Sequence, residues 1–283
     1  MTKNVRVEPH LESYRSFFDH AWFGKWTEET TGTPLYQPVF DLGFMWRCSA
    51  NTHLLPWLMA TTIQQTIERK TNMAEPFGKK YVSAVQQRLA KRMGSSLRKT
   101  QRHRMQVELD KILREVSAVM AIPDLLPPET MWQSFLQNSE FQFALVGSQR
   151  LCYGAIYYAY EDFLTRCVGL AKGKTDYRLF RQKDFQKEIA AEFGSTVCDQ
   201  CWDDPAVNLA RVTRHALVHN GCRVTDEFKE AQKAAKRPLV VCDDEVQIMA
   251  PDTSSLFLLL KDRATLLISA ALQHANIKGT PTA

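Results

Sequence analysis

The run from Phe141 to Gly169 constrains the fold more than any other stretch. Leu151, Ala155 and Tyr158 mark one apolar stripe at helical spacing, and Ile156, Tyr160, Phe163, Cys167 and Leu170 mark an adjoining one. A helix that is apolar on more than one side has to be surrounded, so it is expected at the centre of a bundle. Shorter helical patterns are expected around it: Leu11 to Phe23, His53 to Arg69 (Leu54, Leu58, Thr62 and Ile63 on one face), the stripe Met105 to Met120, Phe180 to Phe193, residues 205–220, and Ser255 to Ala275. Gly32, Pro34 and Pro38 predict loop, Pro76 and Gly78 end the second helix, and Gly194 closes the fifth. Pro238 to Cys242 and Val246 to Met249, joined by Asp243-Asp244-Glu245, predict a small hairpin.

The expected fold is therefore mainly all-α. Pro123, Pro127 and Pro128 suggest a linker. It separates a helical N-terminal region of unassigned role, 1–128, from an up-down helical bundle, 129–283, that carries the hairpin as an insert. Trp22, Trp26 and Trp46 are expected as core anchors.

No apolar run is long enough to span a bilayer; the longest, Leu256 to Leu260, reads as core. The first residues have no apolar stretch behind their charges, so no secretory signal is expected. Seven scattered cysteines fit free thiols in a reducing cytoplasm better than a disulfide framework. The formal charge of +5 is unevenly spread. From Pro76 to Val107 there is no Asp or Glu, while nine of the 36 basic residues lie there; the rest of the chain holds 27 basic against 31 acidic. One reading is the solvated face of a bundle helix. The other is a track for an RNA backbone, with Lys91, Arg92, Arg98, Lys99, Arg102 and Arg104 as its contacts. With no aromatics among these six, the track would touch phosphates and not read bases.

The stretch with chemistry is Thr213-Arg214-His215-Ala216-Leu217-Val218-His219-Asn220-Gly221. Asp204 and Pro205 are a cap and first-turn pair, and Asn220-Gly221 is a stop, so a helix is expected between them. His219 then lies in the last turn, where the helix dipole favours imidazolium. An imidazole moves protons near neutral pH, and a guanidinium meets charge on phosphoryl oxygens, so the pair suits a phosphodiester. Residues five apart differ by about 140° around a helix, so Arg214 and His219 are not expected on one face. A rival pattern uses the same histidines. Cys198-x2-Cys201-x13-His215-x3-His219 has zinc-finger spacing, although Asp203, Asp204 and Pro205 replace the usual aromatic and Val207 and Val212 do not match a finger.

Arg-His-Ala-Leu-Val-His-Asn-Gly resembles the signature of HEPN domains (higher eukaryotes and prokaryotes nucleotide-binding), many of them ribonucleases of bacterial defence and toxin systems. That signature is Arg, four to six residues, then His, with a polar residue after the Arg; His215 occupies that place. The resemblance covers Ser139 to Ala275 and includes an acidic residue, Glu161 or Asp162, in the long preceding helix. In members controlled by a nucleotidyltransferase antitoxin, a tyrosine stands two residues after the His. Gly221 stands there in this chain, so the resemblance does not extend to that control.

The resemblance implies a metal-independent endoribonuclease with no cofactor, acting in bacterial defence or as a toxin. His219 would be the general acid or base and Arg214 the charge stabiliser, with His215, Asn220 and Glu161 in support. It further implies a homodimer joined through the Arg214–His219 helix, and leaves room for a regulatory protein partner. The alternatives are an inactive HEPN-like bundle that binds RNA or protein, and a zinc-stabilised nucleic-acid-binding protein.

Overall fold

The computed structural model describes residues 6–93, 100, 103–104, 107–108, 111, 128–174, 177, 182–274 and 277; for 67–86, 89–90, 92–93 and 182–183 it describes the backbone alone. Among these residues the fold is all-α apart from one hairpin. A 3-10 turn at Leu11–Tyr14 is followed by α1 (His20–Thr30), α2 (Tyr36–Met93), α3 (Pro128–Phe135), α4 (Ser139–Ala171), α5 (Gln182–Phe193), α6 (Ser195–Cys201), α7 (Pro205–His219), α8 (Asp226–Ala235), β1 (Val240–Cys242), β2 (Glu245–Gln247) and α9 (Ala250–Gln273).

The central helix is α4. Asn138 caps it, its side chain accepting from the Phe141 amide at 3.0 Å. Tyr153, Ile156, Tyr157, Tyr160, Phe163, Leu164, Cys167 and Val168 are all buried. Each large side chain so buried contributes about 1.5–3 kcal/mol, and α7 and α9 pack against α4. One of the two expected stripes is different: Leu151 is 74% and Tyr158 52% exposed. The inward face is wide enough without them.

The chain divides into two compact units, Met1–Trp57 with Gln133–Ala283, and Leu58–Trp132. The first 57 residues thus join the bundle and do not form a region with the basic stretch, as the linker alone had suggested. The tryptophans explain why. Trp22, Trp26 and Trp46 are buried as expected; the Trp46 indole donates to the Ile156 carbonyl at 3.0 Å, and that of Trp22 to Thr265 Oγ1 at 2.8 Å. Phe257 of α9 meets Trp46 edge-on at 5.2 Å.

Several boundaries differ from the expectation. Leu11 to Phe23 is a short 3-10 turn and then α1, which starts at its own cap, Asp19, accepting from the Trp22 amide at 2.9 Å. The loop expected around Pro34 and Pro38 is confined to the turn at Gly32 (φ 78°). Pro38 falls in the first turn of α2, where its missing N–H costs nothing. That helix runs through Pro56, Pro76 and Gly78, although an interior proline removes one helical hydrogen bond. Up to Trp57, burial of Val39, Leu42, Trp46, Ala50 and His53 on one face offsets that loss. The buried line is not the one expected, since Leu58 and Thr62 are exposed. Helices α6 and α8 were not anticipated. The hairpin is present with a shorter join: Val240 pairs with Gln247 and Cys242 with Glu245, and only Asp243 and Asp244, at φ 51° and 60°, form the turn. Positive φ at both central residues is the twist that two-residue hairpins need.

Candidate functional site

Helix α7 begins and ends where its sequence directs. The Asp204 carboxylate accepts from the Ala206 amide at 2.7 Å and the Val207 amide at 3.4 Å, Pro205 fills the first turn, and the same carboxylate meets Arg263 of α9 at 2.8 Å. Val207, Ala210, Val212, Thr213 and Ala216 are buried. At the far end the Asn220 amide bonds to the Ala216 carbonyl at 3.2 Å, and Gly221 and Cys222 turn the chain at φ 59° and 68°. The hairpin then takes hold of the chain. The Val224 amide donates to the Asp244 carbonyl at 2.9 Å, and the Val246 amide to the Cys222 carbonyl at 2.8 Å.

A cavity of about 320 Å³ opens beside α7. Arg211, Val212, Arg214 and His215 line it from α7, Glu161 from α4, Glu227 from α8, and Trp202 from the end of α6. Arg211 stacks over the Trp202 ring at 4.5 Å and donates to Asn208 Oδ1. Such stacking fixes the guanidinium plane. Burial raises the Glu161 carboxyl above the usual carboxylate range, while the charges of Arg214 and then Arg211 pull it back. One turn earlier, Tyr157 is fully buried, and its hydroxyl has no hydrogen-bond partner among the described residues. Its phenol is pushed up by burial first and by Glu161 next, and Arg211 and Arg214 oppose them.

The expected site residues are thus partly brought together. Arg214, His215 and Glu161 meet in the cavity; His219 does not line it. The His219 ring is exposed, 4.9 Å from that of His215 one turn back, in keeping with the angle between Arg214 and His219. Asn220 is the C-cap of α7. Of the two acidic candidates on α4, Asp162 faces Arg166 at 3.7 Å, and Arg166 in turn meets Asp41 at 2.6 Å, which leaves Glu161 for the cavity. Arg211, Trp202, Tyr157 and Glu227 were missed. Only Arg211 had a signal, its place three residues before Arg214 on the same face.

The zinc pattern does not assemble. The Cys198 thiol lies 3.3 Å from the Gln186 carbonyl and the Cys201 thiol 3.4 Å from that of Arg263, both donating. Burial, with Asp203 beside it, pushes Cys198 up to about 12, and burial pushes Cys201 up to about 11. Both thiols are buried and both histidines exposed. Among the described residues no group of three or more His, Cys, Asp and Glu is placed to hold a metal.

Of the basic track, Lys91 and Arg104 are exposed; Arg92 is helical in α2; Arg98, Lys99 and Arg102 lie outside the described residues. No helix among the described residues is long and apolar enough to cross a membrane. No family model, curated protein or solved structure matches the chain.

Proposed function

We propose that the protein is a metal-independent endoribonuclease of the HEPN type, working as a homodimer in bacterial defence or as a toxin. The observation that supports this most is Arg214 in a cavity with Glu161 and His215, whose ring lies 4.9 Å from that of the exposed His219. RNA brings its own nucleophile, the 2′-hydroxyl. His219 takes the proton as the O2′–P bond forms, or returns one to O5′ as the P–O5′ bond breaks. Arg214 meets the charge that builds on the non-bridging oxygens. The products are a 2′,3′-cyclic phosphate and a free 5′-hydroxyl. Since His219 faces out while Arg214 faces the cavity, the pair is completed across two protomers. Exposed Val218 on α7 and exposed Leu151 and Tyr158 on α4 offer apolar area for that contact.

The test is incubation of wild type and His219→Ala with labelled RNA in EDTA. Cleavage that survives chelation and is lost in the variant supports the reading. RNA binding without cleavage by wild type would replace it with that of an RNA-binding bundle.

A further inference from the structure

We propose that the cavity beside α7 is a binding site for a phosphoryl group, and that Arg211, which lies outside the Arg-x4-His pattern, is its second cationic ligand alongside Arg214. The proposal rests on the ribonuclease reading for its biological substrate, though not for the chemistry of the site.

Three independent features converge there. Arg211 and Arg214 stand three apart on one face of α7 and both line the cavity. The Arg211 guanidinium sits over the Trp202 ring, 4.5 Å from its centroid, with Asn208 Oδ1 at one N–H. A guanidinium anchored in this way keeps the forked N–H geometry that matches phosphoryl oxygens. The second feature is Tyr157. A buried phenol ordinarily finds a partner, yet this hydroxyl has none among the described residues. It is within electrostatic range of Glu161, Arg211 and Arg214, the charges that line the cavity. Tyr157 does not itself line the cavity, so its unpaired hydroxyl adds to the donor-rich setting of the two arginines and is not a ligand of the group bound there. The third is size, since about 320 Å³ is at the lower end of ligand sites. That is room for one phosphate and its sugar, and not for a large cofactor. Glu161 and Glu227 offset the two arginine charges while the site is empty, and they oppose an oxyanion that enters.

In the ribonuclease, this pocket would hold a backbone phosphate, with His215 at its edge, while His219 of a second protomer moves the proton. A phosphodiester in a chain and the phosphomonoester of a free nucleotide offer the same oxygens, so two probes are needed. One is a short RNA with every 2′-hydroxyl methylated, which cannot be cut; the other is adenosine 3′-monophosphate. Binding is followed by titration calorimetry at fixed salt for wild type, Arg211→Met, Glu227→Gln and the control Arg47→Met. Arg211→Met is expected to weaken binding roughly tenfold to a hundredfold, the usual loss of a charge-assisted contact. Glu227→Gln should strengthen it severalfold, a gain that misfolding cannot produce. Loss for the RNA alone identifies a backbone diester as the ligand; loss for both probes identifies the phosphoryl group by itself. Arg211→Met and Glu227→Gln both binding like wild type would overturn the site. If RNA is cut in EDTA and Arg211→Met leaves binding and KM unchanged, the ribonuclease stands and this site falls. If nothing is cut but the probes bind and Arg211→Met loses them, the site stands and the nuclease falls.

Discussion

Replacing Asp204 by alanine tests how α7 is held. Two roles are lost at once. The cap, accepting from the Ala206 and Val207 amides, contributes about 1 kcal/mol. The contact with Arg263 is 2.8 Å long between side chains that are 20% and 25% exposed. A charge-assisted hydrogen bond of that kind contributes about 1.5–3 kcal/mol. Arg263 makes the loss worse, because its Nε is already buried with no partner. Asp204→Ala should therefore cost about 2.5–4 kcal/mol in all. Asp204→Asn keeps the cap, since asparagine caps as well as aspartate, and should cost only about 1–2 kcal/mol. Urea unfolding followed by far-ultraviolet circular dichroism measures both. With a slope of about 3 kcal/mol/M, the alanine variant's midpoint falls by roughly 1 M. A double-mutant cycle with Arg263→Ala isolates the ion pair, with an expected coupling of about 1–3 kcal/mol. An alanine variant within about 0.5 kcal/mol of wild type would refute the account of why α7 starts where it does.

Four further outcomes are expected. Glu161→Gln should raise the melting temperature at pH 7. Burial lifts the folded-state pKa above the ordinary 4.5, so the carboxylate's cost is absent below that value, grows as pH rises through the folded pKa, and is full above it. The gain should vanish in melts below about pH 4; a variant less stable than wild type at pH 7 would mean that Arg214 and Arg211 outweigh burial. Gly43→Ala adds a methyl group into the Phe23 ring and should lower stability by about 1–3 kcal/mol in urea titrations. Trp46→Ala empties a fully buried site and breaks the bond to Ile156, with an expected loss of about 3–5 kcal/mol by the same titration. For the dimer, light scattering should give twice the chain mass, and Val218→Asp should shift it towards the monomer and cut RNA cleavage; a wild-type monomer that cleaves RNA would remove the two-protomer site.

Where one chemical rule dominates, the sequence was easy to read. Asp204-Pro205 and Asn220-Gly221 each act through the backbone at one point, and α7 has those ends. Asp243-Asp244 is similar, with a turn type that follows from residues tolerant of positive φ. Tertiary packing set the remainder. Nothing local in Pro56 says that α2 should continue through it; the decision lies in the contact of Trp46 with Ile156 and Phe257, far along the chain. Leu151 and Tyr158 show the opposite error, an apolar stripe left at the surface because α4 buries enough on its other sides. In the site, Glu161 could be foreseen from its place on the long helix. Trp202 and Tyr157 could not, because their roles depend on the meeting of α4, α6 and α7.

The hairpin gives the histidine end of α7 a measurable signature. A helix end usually frays, but here the chain just past His219 is tied by its backbone to β2 and to the turn at Asp243-Asp244. The amides of Val224 and Val246 should therefore exchange with solvent deuterium at one common rate, set by the opening of this tie as a unit. His219 must move with the same unit, so exchange at two unreactive valines becomes a clock for the mobility of the turn that follows this histidine.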